Sequence, residues 1–174
     1  MRWVAYGPET HALFGRTITE TYRQSLDCPR LNGLRDIEDV LAGHKASGEF
    51  DPRLWGLLCE GDVPLGALLL ARAAPAGALE LVYLGLTPEA RGRGLGDVLM
   101  RRALAAAAAE GGARLSLAVD SDNAPALKLY YRHGMQRVGA KAALMRRLVA
   151  RAESPGLSAR EATGAARASA DRRR

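Results

Sequence analysis

A glycine-rich turn with two arginines occupies residues 91–96, RGRGLG. Its members are Arg91, Gly92, Arg93, Gly94, Leu95 and Gly96. It lies between an apolar run typical of a strand and an alanine-rich run typical of a helix. Glycine lets the backbone turn sharply or approach a ligand, and the first amides of a helix lack acceptors and carry partial positive charge. The turn therefore predicts an anion site, with phosphate as its natural ligand.

The spacing of the glycines shows which of the known phosphate-binding patterns the turn fits. A nucleotide P-loop requires G-x-x-x-x-G-K-[ST], and the chain has no Lys-Ser or Lys-Thr pair. A dinucleotide turn aligned on Gly94 and Gly96 requires Gly or Ala at position 99, where the chain has Leu99. The pattern R-x-x-G-x-G is matched by Arg91, Gly94 and Gly96.

Periodicity along the chain predicts a mixed α/β domain that positions this turn. The expected order is a strand at 3–6, helices at 9–26 and 34–45, strands at 54–59, 63–71 and 79–86, a helix at 95–110, a strand at 114–119, a helix at 123–133, and final strands at Val138 and 144–148. The strand at 79–86 is apolar on both faces except at Glu80, so it should be central in a sheet covered on both sides.

This element order and the turn resemble the GNAT superfamily of N-acetyltransferases over about residues 2–149. The segment NAPALKLYYRHGMQRVG is similar to the family's N-x-x-A-x-x-L-Y-x-x-x-G-[F/M] pattern, with Met135 in place of the commoner phenylalanine. The resemblance implies an α/β fold with a mixed, mostly antiparallel central sheet of about six to seven strands and flanking helices. It also implies acetyl-CoA as cosubstrate, with its pyrophosphate held by the amides of residues 91–96 and by the side chains of Arg91 and Arg93.

Glu80 is the candidate general base. Acetyl transfer to an amine needs a group that removes the ammonium proton, and burial in an apolar strand would disfavour the charged form of this carboxylate. Some members of the family carry a catalytic glutamate eleven residues before the signature, which is the offset between Glu80 and Arg91. The alternative is a carboxylate at the solvated start of its strand.

The resemblance also implies roles for residues of the downstream motif. It places Tyr130 near the coenzyme sulfur, where its hydroxyl would protonate the leaving thiolate; Tyr131 offers a second hydroxyl, and a core tyrosine is the structural alternative. Asn123 would contact the coenzyme near its pantetheine arm or cap a helix. Main-chain amides at Leu84 and Leu86 would meet pantetheine and the developing oxyanion.

Half of the net charge of the chain lies outside the predicted fold. The net charge is +6, and residues 150–174 hold six arginines against three acidic residues and few large apolar ones. We expect a disordered basic tail after a domain at 1–149 and do not expect nucleic-acid binding. With no apolar stretch long enough for a membrane span and no leader pattern at the start, we expect a cytoplasmic protein.

No metal site is expected, and the cysteines should be free. His11 and His44 are predicted on helix surfaces and His133 at a helix end, without ligand spacing; Cys28 and Cys59 suggest no disulfide framework. Cys28 as an acyl-accepting nucleophile is a minor alternative.

The combined interpretation is an acyl-CoA-dependent N-acyltransferase that acts by direct attack of an amine. The acceptor, a small molecule or a peptide, would be shaped by residues 26–51 and the last two strands. The alternative is a non-catalytic CoA-binding or interaction module whose basic tail contacts an acidic partner. The sequence is compatible with a homodimer.

Overall fold

The computed structural model describes residues 1–74, 76–112, 114–142 and 144. Its strands are β1 (Arg2–Ala5), β2 (Trp55–Glu60), β3 (Val63–Ala73), β4 (Ala78–Leu86) and β5 (Arg114–Leu117). Its helices are α1 (His11–Tyr22), α2 (Ile37–Lys45), α3 (Leu95–Ala109) and α4 (Ala124–Arg132). The α/β architecture predicted from the sequence is confirmed through α4.

The strands form one mixed sheet in the order β1-β2-β3-β4-β5. Neighbours are antiparallel from β1 to β4, and β5 is parallel to β4. The helix α3 provides the crossover that a parallel pair requires. The glycine turn lies between β4 and α3, so the sheet sets its position.

Strand alternation divides the core into two layers, one on each face of the sheet. One layer joins β-strand leucines to α3 and α4, and includes Leu79, Leu81, Leu99, Met100 and Tyr130. The other joins the opposite face to α1 and α2, and includes Phe14, Ile18, Leu41, Trp55 and Leu69. Each fully buried side chain of this size contributes about 1.5–3 kcal/mol relative to an exposed one.

The sheet has five strands in the described part of the chain, fewer than the six to seven that were predicted. The strand expected at Val138 is wrong: residues 135–142 form no helix or strand, and Val138 is 100% exposed. Its neighbours supply no alternating apolar pattern, so a strand there would bury nothing. Leu144, also outside any element, is 95% exposed. Residues 145–148 and the predicted tail lie outside the described residues.

None of the helices in the described part of the chain combines the length and the apolar content that a membrane crossing demands.

Candidate active site

The pairing of β4 with β5 stops before the glycine turn, because β5 ends at Leu117 while β4 continues to Leu86; this opening is called the divergence below. Residues Ala78–Leu81 of β4 pair with Arg114–Leu117 of β5, whereas β4 continues to pair with β3 as far as Leu86. A bulge at Val82 accompanies the divergence, because Leu81 opposes Leu70 and Tyr83 opposes Leu69. Among the described residues, the edge of β4 that faces β5 therefore has no partner strand over residues 82–86, which include Leu84 and Leu86.

The glycine turn leaves backbone donors available at the start of α3. Gly92 and Gly94 have φ of +73° and +74°, and a Cβ added to either would meet nothing within 4 Å. The amide of Arg91 donates to the carbonyl of Pro88, but within the described residues the amides of 92–94 have no backbone acceptor. The first amides of α3 are free by the geometry of any helix. This arrangement fits a diphosphate, which accepts many hydrogen bonds and needs close approach of the backbone.

Gly96 serves helix packing. A Cβ at this position would lie 3.1 Å from Cδ2 of Leu129, so its small size lets α4 lie close to α3. The same two helices are joined by Asp97, whose carboxylate lies 2.8 Å from Nε2 of His133 and 2.6 Å from Nη2 of Arg132. The hydrogen bonds from His133 and then Arg132 lower the pKa of Asp97, so its negative charge at the start of α3 is compensated.

The two arginines of the turn have different surroundings. Nη2 of Arg93 lies 3.1 Å from both carboxylate oxygens of Glu60 in an exposed ion pair, which an anionic ligand could replace. The guanidinium of Arg91 instead donates to main-chain carbonyls at the end of α1 and to the carbonyl of Leu86. The side chain of Arg93 is therefore the better placed of the two to supply countercharge.

Glu80 lies one residue before the strands diverge. It opposes Ala71 in β3 and Ser116 in β5, and it is partly buried. It alternates with Leu79 and Leu81, which face α3 and α4, so its side chain is on the α1–α2 face of the sheet. No hydrogen bond or ion pair joins its carboxylate to a side chain in the described ranges, which leaves it available for a substrate proton.

Tyr130 lies on the other face, in the core layer of α3 and α4. Its side chain is 8% exposed, and burial, with a smaller contribution from Asp27, raises its pKa to about 12. The hydroxyl is thus protonated at neutral pH, and none of the described groups forms a hydrogen bond with it. Tyr131 is 53% exposed, so the structure brings only the first tyrosine of the pair into the core layer of α3 and α4.

Asn123 is the N-cap of α4. Its Oδ1 accepts from the amide of Ala126 at 3.3 Å. The capping role named as an alternative is therefore present, and one lone pair and the amide group remain for a ligand.

Sequence reasoning missed a polar group on the α1–α2 side of the divergence. The hydroxyl of Tyr83 lies 2.6 Å from Oγ1 of Thr21, and its ring packs on Tyr22. His44, predicted on a helix surface, also packs against Tyr83, and burial followed by the charge of Arg35 lowers its pKa to about 4. Tyr83 could have been noticed as the second polar side chain in the strand at 79–86.

A pair of carboxylates also flanks the divergence. The amide of Asp120, just after β5, donates to Oδ1 of Asp27 at 3.4 Å, and the amide of Cys28 donates to Oδ2 of Asp120 at 3.1 Å. Desolvation and then these two carboxylates raise the pKa of Cys28, the opposite of what an activated nucleophile requires. Both cysteines are free, and no metal-binding group is found among the described residues.

Comparisons with known proteins identify the family of the chain. The model of the acetyltransferase (GNAT) family matches residues 18–135. A mycothiol acetyltransferase from Beutenbergia cavernae is 39% identical over 111 residues, which are 63% of this chain and 37% of that protein. One from Jonesia denitrificans is 44% identical over 57 residues, 33% of this chain and 18% of that protein. The matched part of the chain thus spans 37% or less of the length of these relatives.

Solved structures share the fold at low sequence identity. An N-acetyltransferase from Staphylococcus aureus has a TM-score of 0.62 and 17% identity, over 79% of this chain and 84% of that one. The Salmonella typhimurium protein yncA, solved with its cofactor acetyl-CoA, has a TM-score of 0.59 and 19% identity, over 81% of this chain and 86% of that one. With the family model covering most of the described fold, the chain belongs to the acetyltransferase (GNAT) family.

Proposed function

We propose that the chain transfers an acetyl group from acetyl-CoA to an amine of a small molecule or a peptide. The observation that carries the proposal is the divergence of β4 from β5 beside a glycine turn with free amides. A long, narrow ligand with a diphosphate at one end can lie along such an opening. The relatives named mycothiol acetyltransferase support a small-molecule acceptor.

The residues of the turn and of β4 would hold acetyl-CoA. Amides of 92–96 and the guanidinium of Arg93 would bind the diphosphate, and unpaired amides at Leu84 and Leu86 would bind the pantetheine arm, with Asn123 nearby. The bound coenzyme supplies an acetyl thioester. An amide on this edge of β4 would also donate to the oxygen of the acetyl carbonyl as it gains charge.

Glu80 and Tyr130 would move the two protons of the transfer. Glu80 is beside the divergence on one face of the sheet and Tyr130 is in the core layer on the other face, so the two would act on different sides of a molecule that passes through the divergence. Glu80 would take a proton from the acceptor ammonium on the α1–α2 face. Tyr130, whose hydroxyl is protonated at neutral pH, would donate that proton to the leaving sulfur on the other face and regain one from solvent.

Tyr130→Phe should lower kcat by on the order of 100-fold, because it removes the proton donor while keeping the ring that packs in the core. The dissociation constant of acetyl-CoA should stay nearly unchanged. Tyr131→Phe is the matched control: its exposed hydroxyl should be dispensable. Equal losses of kcat in both variants, or a loss confined to Tyr131→Phe, would contradict the assignment.

The proposal is tested by following thiol release from acetyl-CoA with a panel of amines. The panel should include amino sugars, amino-acid conjugates, polyamines and peptide amino termini. We expect at least one class to accelerate thiol release and to yield an acetylated amine by mass spectrometry. Coenzyme binding without acceleration by any amine would favour the non-catalytic module.

A further inference from the structure

Arg91 joins the glycine turn to the end of α1. Its Nη2 donates to the carbonyls of Thr21 at 2.9 Å and Arg23 at 2.8 Å, and its Nη1 donates to the carbonyl of Gln24 at 3.1 Å. Its Nε donates to the carbonyl of Leu86 at 3.2 Å. A guanidinium has five N–H donors, so this shell of carbonyls uses all but one of them. Little hydrogen-bonding capacity is left for a phosphate.

Two of the carbonyls that Arg91 binds, those of Arg23 and Gln24, begin the segment between α1 and α2, residues 23–36. The last turn of α1 is also fixed to the sheet, because Oγ1 of Thr21 and the hydroxyl of Tyr83 are 2.6 Å apart. Helix ends leave carbonyls without partners, and a cation there is favourable. Arg91 thus supplies hydrogen-bond donors to the free carbonyls at the C-terminal end of α1 and holds this helix end beside the end of β4.

The same segment is attached on the far side of the divergence. The amide of Cys28 donates to Asp120, which follows β5, and the amide of Asp120 donates to Asp27. The segment therefore runs from the end of β4, where Arg91 holds it, to the end of β5. It connects α1 to α2, the helices on the face to which the side chain of Glu80 points, where an acceptor amine would have to bind.

We infer that Arg91 is a positioning residue for the acceptor side of the site and not a phosphate ligand, an inference that rests on the proposed function. Its main chain begins the glycine turn, and its side chain donates hydrogen bonds to the segment at 23–36. Arg91 would therefore fix the position of the acceptor side of the site relative to the coenzyme side.

Two variants separate this role from countercharge to phosphate. Arg91→Gln removes the charge and most of the donors; Arg91→Lys keeps the charge but presents a compact ammonium that cannot reach four carbonyls in a plane. If Arg91 positions the segment, both variants should behave alike. If it binds phosphate, Arg91→Lys should keep the acetyl-CoA affinity that Arg91→Gln loses. Arg93→Gln is the matched control from the same turn.

The first measurement is amide hydrogen exchange of the full chain without any ligand. Both Arg91 variants should raise exchange at 23–36 on the order of tenfold or more, because charge-assisted hydrogen bonds to this segment are lost. Arg93→Gln should leave exchange there unchanged. Unaltered exchange at 23–36 in both Arg91 variants would overturn the inference, whether or not the chain is a transferase.

The second measurement divides the effect between the two substrates. Both Arg91 variants should raise KM for the amine on the order of tenfold while the acetyl-CoA dissociation constant changes far less; Arg93→Gln should show the reverse. The same amine effect should persist with acetylpantetheine, a donor without the diphosphate. If only the affinity for acetyl-CoA fell in Arg91→Gln, and Arg91→Lys kept that affinity, Arg91 would be a phosphate ligand.

Loss of folding would be visible in thermal unfolding, and a second variant keeps the test decisive in that case. Asp120→Ala removes the carboxylate that accepts from the amide of Cys28, and it leaves the main-chain bond from residue 120 to Asp27 and the attachment at Arg91 in place. It should raise exchange near residues 27–30 but not at residues 21–25. Exchange that rises equally over the whole segment would contradict two separate attachments.

Discussion

Glu80→Gln is expected to lower kcat by 10² to 10⁴-fold, on the order of what general-base catalysis contributes. Glutamine has nearly the shape of glutamate but cannot accept the proton of the acceptor ammonium. Glu80 forms no described ion pair or side-chain hydrogen bond, so the substitution breaks no contact that holds the fold. Acetyl-CoA affinity and thermal stability should therefore be retained.

The control for Glu80 is Glu89→Gln. Glu89 is an exposed carboxylate just before the glycine turn, and its nearest cation is Arg23 at 3.8 Å. This variant should turn over at the rate of the parent. A decrease of less than about threefold in Glu80→Gln would instead mean that water or another group removes the proton, since an effect that small is about 0.7 kcal/mol.

The double variant Gly92→Val, Gly94→Val should bind acetyl-CoA on the order of 100-fold more weakly, a loss of about 2.7 kcal/mol. Both positions have positive φ, which costs an L-residue with a side chain about 1–2 kcal/mol. The turn then either keeps its shape under strain or relaxes and moves its amides away from the diphosphate. The added side chains also fill the open space in front of the turn.

A matched control separates loss of the site from backbone strain. Gly61, in the turn between β2 and β3, has φ of +58° and also has nothing within 4 Å of an added Cβ. Gly61→Val should lower the melting temperature without changing acetyl-CoA affinity by calorimetric titration. Equal affinity in the parent and the double variant would show that the turn does not bind the coenzyme.

The parts of the site that local sequence determines were predictable. Gly92 and Gly94 stand where positive φ is required, and the apolar run around Glu80 is that of an internal strand. The buried and the exposed member of the Tyr130–Tyr131 pair could not be distinguished, because that depends on how α4 rotates against α3. The packing of Gly96 on Leu129 could not be predicted either, because it also depends on how α4 rotates against α3.

Contacts between segments distant in sequence were not predictable. Arg91 and the carbonyls of α1 are about seventy residues apart, and nothing near Arg91 indicates that its side chain turns toward them. His44 was misplaced because a short amphipathic pattern does not show which polar residue meets the aromatic ring of Tyr83. The strand expected at Val138 failed for lack of a burial pattern, which a lone valine cannot supply.

An amide hydrogen-exchange footprint tests whether acetyl-CoA lies between the glycine turn and the open edge of β4. The full chain is compared with and without acetyl-CoA. We predict protection concentrated at residues 82–86 and 92–96, with a smaller effect at the start of α4. Protection elsewhere in the fold, or none at saturating acetyl-CoA, would contradict the account.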